Sequence, residues 1–380
     1  MDIIREFKYL CYQLDYLFGK GNLIDSDFSK TNFNDDKLSL DDIEYRFFTL
    51  KSESMKMEDL PPLYIRTYLQ KHIDAILMQI KLKKQHIDYI EAVSVLYDID
   101  AKKPQHTTIE QIHSELNDLL KNNGYIYGTL NQKIQQWNKD NDIKASDFVN
   151  LINKKAKEYA GIVKGKFSNI INFNEINDVL ELKLVDSNDG WEADNYYINN
   201  YKGIIEFNNS SSFNQYSINL FISHEGYPGH HTSCLIKEYL YKNNQTNELA
   251  TINLLNTPSS LIEEGIGDNG LKILNLENDD INFKIDQLLD KLSAEAYYLA
   301  AYKYINEKQT EEQIMDILIN DKLHANEKSA HRAMQFIKNW GYYIPTYKYG
   351  REIVSAFIDK NPNDYINKLY NICCNSTLEN

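Results

Sequence analysis

The chain has 380 residues, 42% hydrophobic and 12% aromatic, a balance that excludes wholesale disorder and supports a large buried core. Glycine (15) and proline (7) are scarce, which excludes collagen-like and turn-dense sandwich architectures and favours long helices. A net charge of −14 argues against nucleic acid and against an anionic membrane surface as partners.

Apolar residues Ile3, Ile4, Phe7, Leu10, Cys11, Leu14, Leu17 and Phe18 recur at helical spacing, and Gly19 and Gly21 end that helix. Residues 22–58 carry no firm period. Pro61 and Pro62 sit where a helix would begin. From Tyr64, Ile73, Ile76, Leu77 and Ile80 mark one face, which Ile87, Ile90 and Val93 carry on to about Tyr97. Pro104 interrupts the chain, Thr107 with Glu110 predicts a capping box, and Ile109 to Leu120 form a helix stopped at Gly124. A further helix is expected over Ser146 to Val163.

The period then changes. Leu180, Leu182 and Leu184 alternate with Glu181 and Lys183, as in a strand. Asn188-Asp189-Gly190 is a turn signal, and Tyr196–Ile198 and Gly203–Phe207 read as short strands. A small antiparallel sheet is therefore expected over 178–208. Helical periodicity returns at about Tyr216 and holds almost to the end. The expected organisation is a helical region, 1–165, and a region carrying the sheet and the chemistry, 166–380, within one continuous fold or two.

Cys11, Cys234, Cys373 and Cys374 form no CxxC and no disulfide framework. The first residues, MDIIREFKYL, lack a signal-peptide apolar core, and no run of ~18 apolar residues exists to span a membrane. A cytoplasmic protein with reduced thiols is expected.

The chemistry concentrates in His224-Glu225-Gly226-Tyr227-Pro228-Gly229-His230-His231. Two imidazoles can hold a zinc ion while a neighbouring glutamate serves as base. The spacing does not suit a straight helix. His230 lies about 240° round the axis from His224, and His231 lies roughly 10 Å along it. Pro228 cannot donate to the His224 carbonyl, and Gly229 permits an unusual backbone angle, so the helix must open and let a second histidine swing back. A third, carboxylate ligand is sought in Ser259 to Asp268. Glu263 and Glu264 are ~100° apart, so only one can face the ion. Asp268 lies one turn beyond Glu264, placed to orient a ligand histidine, while Glu263 reads as a solvated residue. Seven of the chain's 22 glycines and prolines fall within 226–270, where uniform spacing gives about 2.6. The helix breakers gather around the expected ligands.

HEGYPGHH resembles the HExxPGHH signature of the DUF885 family, which is similar to gluzincin-type zinc metallopeptidases. Glu264-Gly265 resembles that family's later Glu-Gly motif. Lys308 to Leu318, followed by Tyr347-Lys348-Tyr349-Gly350, resembles its closing region. The resemblance runs from about 90 to 355. It implies a mainly α, multi-helical metallopeptidase-like fold with a small sheet edging the active-site cleft. It also implies His224, His230 and Glu264 as ligands of one Zn²⁺ and Glu225 as general base. The chain is shorter than many members, and Arg332 is the nearest candidate for the arginine that usually precedes the closing motif.

The expected reaction is hydrolysis of a peptide or small amide substrate. A repurposed enzyme acting on a small-metabolite amide or ester, or a non-catalytic metal-binding protein, are the alternatives. Tyr347 is the first candidate to stabilise an oxyanion, with His331, His324 and Arg332 behind it. His231 is expected to support a ligand from outside the metal's own shell. The strand Gly203–Phe207 is expected to pair with an extended substrate.

Overall fold

The computed structural model describes residues 2–29, 33, 37–56, 63–187, 191–209, 211, 213–321 and 327–375. Asp2 accepts hydrogen bonds from the Ile4 and Arg5 amides, at 3.1 and 3.4 Å, and so caps α1 (Ile3–Phe18), which Gly19 ends at φ +97°. The stretch without a clear period holds β1 (Ile24–Asp27) and α2 (Leu40–Lys56). The apolar face from Tyr64 to Tyr97 belongs to two helices, α3 (Leu63–Lys84) and α4 (Tyr89–Tyr97). Asp88 separates them by capping the second, accepting from Ile90 N at 2.9 Å. Next come α5 (His106–Asn122), α6 (Leu130–Asp140) and α7 (Ala145–Lys166). The expected Thr107–Glu110 capping box does not form. Pro104 lets α5 start at His106, so Thr107 is already inside the helix and no side chain caps it. Pro61, Pro62 and the Asn188–Gly190 turn lie outside the described residues.

Three strands follow: β2 (Val179–Val185), β3 (Ala193–Asn199) and β4 (Lys202–Asn208). Their order is β2-β4-β3. The β3–β4 hairpin is antiparallel, whereas β2 runs parallel to β4, with Val179 opposite Lys202 and Val185 opposite Asn208. The expected wholly antiparallel sheet is thus mixed. Alternation locates strands but does not order them, and here the last strand inserts between the first two. One face of the sheet, with Ile205 and Phe207, is buried in the core.

The remainder is helical apart from one short strand. It comprises α8 (Ser217–Phe221), a π turn (Ile222–Gly226), α9 (His230–Lys242) and β5 (Ile252–Leu254), then α10 (Pro258–Asp268), α11 (Gly270–Leu274) and α12 (Ile281–Ile305). It ends with α13 (Glu311–Asp316), α14 (Glu327–Trp340), α15 (Pro345–Lys360) and α16 (Tyr365–Asn375). The fold is mainly α with small sheets.

Among the described residues the hydrophobic cores run across residue 165. One cluster unites Phe148, Ile152 and Val163 of α7 with Ile205, Ile222, Ile266 and Tyr370. Another unites Phe7, Leu10, Phe47 and Ile76 with Leu249 and Leu254. β1 pairs with β5, and Lys8, fully buried, meets Asp27 at 2.9 Å and Thr251 Oγ1 at 2.9 Å. The N-terminal helices are therefore tied to the segment that leads into α10. Among the described residues no helix is long and apolar enough to cross a membrane.

Candidate metal centre

The backbone opens between His224 and His230 as the proline and glycine require. α8 runs into the π turn, which the Tyr227 amide closes on Ile222 O at 3.0 Å. The Tyr227–Pro228 peptide is cis. The Tyr370 hydroxyl donates to Pro228 O at 2.6 Å, so α16 braces the turn. At Gly229 a Cβ would collide with the His224 carbonyl oxygen, so only glycine lets the chain fold back here. α9 then starts at His230, and the Nε2 atoms of His224 and His230 lie 3.1 Å apart.

α10 supplies the third donor. Its first turn is fixed by Pro258 and by reciprocal bonds between Thr257 and Ser260. One turn later Glu264 places Oε2 3.2 Å from His224 Nε2 and Oε1 3.4 Å from His230 Nε2. The donor atoms of the three residues all lie within 4.8 Å of one another, the one such group of three or more among the described residues. Glu264 is buried, and its Oε2 has no hydrogen-bond partner. Burial disfavours the His230 imidazolium, yet the Glu264 carboxylate outweighs it and lifts the pKa to about 9. His224 is likewise raised well above the usual histidine value. There burial acts to lower it, and the Asp268 and Glu264 carboxylates on either side of the ring overcome burial. The point where the three side chains meet therefore attracts positive charge, and two imidazoles with one carboxylate form a donor set suited to zinc.

Asp268 occupies the position expected of it. Its Oδ1 is 3.0 Å from His224 Nδ1, the ring nitrogen turned away from Glu264. Gly267 makes room, since a Cβ there would stand 2.7 Å from that nitrogen. α15 crosses α10 at Gly265 and Gly350 and brings further groups in. Just before α15, the Tyr343 hydroxyl donates to Glu264 Oε1 at 2.7 Å. Arg351 Nη2 lies 3.2 Å from Asp268 Oδ2 and 2.6 Å from Asp290 Oδ2 of α12.

Glu225 is buried, and its charge acts on both histidines. Burial raises its pKa, helped by Glu264 and Asp268 and opposed by the two histidines. β3 packs beside the π turn and α9. Burial pushes its Asp194 carboxyl up to about 7, with Glu225 adding to the rise. The Tyr347 ring centroid lies 6.5 Å from that of His224 and 6.0 Å from that of Tyr343. Burial, then Glu264 and Glu225, hold its phenol well above the usual tyrosine pKa.

Other expected residues stand elsewhere. His231 is fully buried, and its Nε2 meets Asp178 Oδ1 at 3.0 Å, not a metal-site residue. Tyr227 OH donates to the same carboxylate at 2.9 Å. This cluster ties the motif to the start of β2. Glu263 is not a solvated acid: its side chain is 12% exposed and ion-paired with buried Lys237. His331 is exposed on α14, and the Arg332 charge acts on Glu192 and Tyr297. His324 lies outside the described residues. Sequence reasoning missed Tyr343, Arg351, Asp290 and Asp194. The spacing 343, 347, 351 was an available signal, because residues four apart share a helical face. β4 is the central strand and bonded on both sides, so it cannot take a further strand; among the described residues the unpaired edge beside the site is that of β3.

No family model matches the chain, and no curated protein matches it. Among solved structures it is similar to the “putative lipoprotein” from Colwellia psychrerythraea, with TM-score 0.60 at 12% identity over 90% of this chain and 67% of that one. It is also similar to a “putative lipoprotein of unknown function” from Shewanella oneidensis, with TM-score 0.54 at 15% identity over 86% and 67%. At these identities the likeness is one of fold.

Proposed function

We propose that this chain is a zinc-dependent hydrolase of peptide or amide bonds. The observation that carries the reading is the convergence of His224, His230 and Glu264 with Glu225 beside them. The resemblance of HEGYPGHH to the DUF885 signature supports it. When bound, zinc supplies Lewis acidity that polarises a carbonyl and makes water a stronger acid. Glu225, its carboxyl more basic than usual, takes a proton from water and passes it to the leaving amine. Tyr347 keeps its proton far beyond neutral pH and offers a donor to the developing oxyanion. Tyr343 orients Glu264, and Asp268 orients His224. The free edge of β3 is the element along which an extended peptide would lie.

The test is metal analysis of the purified chain, paired with hydrolysis of a peptide and small-amide panel by wild type and Glu225→Gln. The expected result is one zinc per chain in both, with hydrolysis reduced about 10²–10⁴-fold in the variant. A chain that takes up no metal sinks the reading. Bound metal with no Glu225-dependent hydrolysis would favour a non-catalytic metal-binding protein.

A further inference from the structure

We infer that Arg351 is a positioning residue of the metal centre, acting through Asp268 to make His224 present Nε2 to the ion. The inference rests on the zinc reading above. A neutral imidazole carries one N–H, so a proton held on Nδ1 leaves the Nε2 lone pair free. Asp268 Oδ1, 3.0 Å from Nδ1, is the acceptor that holds it there.

Asp268 needs support of its own. Its side chain is 7% exposed, and its Oδ2 accepts no hydrogen bond. Glu264 lies one turn before it, and Asp290 faces the same guanidinium. Three neighbouring carboxylates, two of them buried, repel one another unless a cation stands between them. Arg351 is that cation: Nη2 sits 3.2 Å from Asp268 Oδ2 and 2.6 Å from Asp290 Oδ2. The chain His224–Asp268–Arg351–Asp290 thus draws on the π turn, α10, α15 and α12, and ends at a half-exposed carboxylate. The guanidinium donates a hydrogen bond to Asp290 Oδ2, which fixes where its charge faces Asp268 Oδ2. A lysine would return the charge without that geometry.

The experiment measures zinc affinity by competition with a chromophoric chelator for wild type, Arg351→Met, Arg351→Lys and Asp290→Asn. It also records histidine ring ¹⁵N–¹H spectra of the zinc-loaded proteins, with circular dichroism to verify folding. Arg351→Met is expected to weaken zinc binding about 10–100-fold. It should also shift or abolish the His224 Nδ1–H signal while the helical spectrum is kept. Arg351→Lys should recover part of the affinity, and Asp290→Asn should move the same signal less. An Arg351→Met protein that matches wild type in affinity and in the His224 signal overturns the inference. If that variant fails to fold, unchanged affinity and signal in both Arg351→Lys and Asp290→Asn overturn it. A wild-type chain that binds no zinc overturns the zinc reading itself, a result distinct from wild-type binding that is indifferent to Arg351.

Discussion

Gly265 and Gly350 face each other where α10 crosses α15. A Cβ on Gly265 would stand 2.6 Å from the Gly350 carbonyl carbon, and one on Gly350 would stand 2.9 Å from the Gly265 nitrogen. This contact sets how near Tyr343 and Arg351 come to Glu264 and Asp268. Gly265→Ala must push the helices apart. Overpacking of this kind costs about 1–3 kcal/mol, so the melting temperature should fall. Zinc affinity should fall with it, because Glu264 and Asp268 lose their fixed partners. An alanine variant with lowered stability but wild-type zinc affinity would show that the crossing does not position the ligands.

Two tyrosines four residues apart should fail in different ways. Tyr343 donates to Glu264 Oε1 at 2.7 Å, so Tyr343→Phe removes a bond to a proposed ligand and should weaken zinc binding about 10-fold. Tyr347 has its ring beside His224 and is assigned to the oxyanion. Tyr347→Phe should leave zinc affinity intact and lower kcat by about 10–10³. Equal effects of the two variants on zinc affinity would remove the distinction.

The fold class was legible because Gly and Pro scarcity and helical periodicity are local properties, as is the broken helix of HEGYPGHH. Glu264 and Asp268 were legible too, one turn apart with glycines between them. What the residues did not reveal depends on distant pairing. Strand order placed β4, not β3, in the middle of the sheet. His231 found Asp178, 53 residues away, and Glu263 found Lys237, 26 residues away. Arg351 follows the Tyr347–Gly350 motif directly. Only the α10–α15 crossing gives it a role.

The His231 cluster predicts a structural phenotype. His231→Phe removes one of the two side chains bonded to Asp178, whose carboxylate is 4% exposed, and leaves Tyr227 alone to satisfy it. Loss of a hydrogen bond to a buried carboxylate costs about 1–3 kcal/mol. The variant should unfold at lower denaturant, and where it remains folded its zinc affinity should approach that of wild type. Zinc loss without a stability loss would instead bring His231 into the metal site.

Asp286 predicts the pH dependence of stability. It is 5% exposed on α12. One carboxylate oxygen accepts from Asn214 Nδ2 at 3.0 Å, and the other has no hydrogen-bond partner. Burial, then Asp290 and Glu192, push its pKa up to about 7 from an unfolded value of 3.8, against the lowering by Asn214. Between those values the folded chain holds a proton that the unfolded chain has released. Unfolding free energy must therefore fall as pH rises through the window, with the full loss present above about 7. Asp286→Asn removes the charge and keeps a partner for Asn214. Its stability advantage over wild type should be smallest at pH 4 and grow to a few kcal/mol by pH 8, at about 1.4 kcal/mol per pKa unit. Urea unfolding at pH 4, 6 and 8 measures it. Parallel stability profiles for the two proteins would mean that Asp286 does not carry a raised pKa in the folded chain.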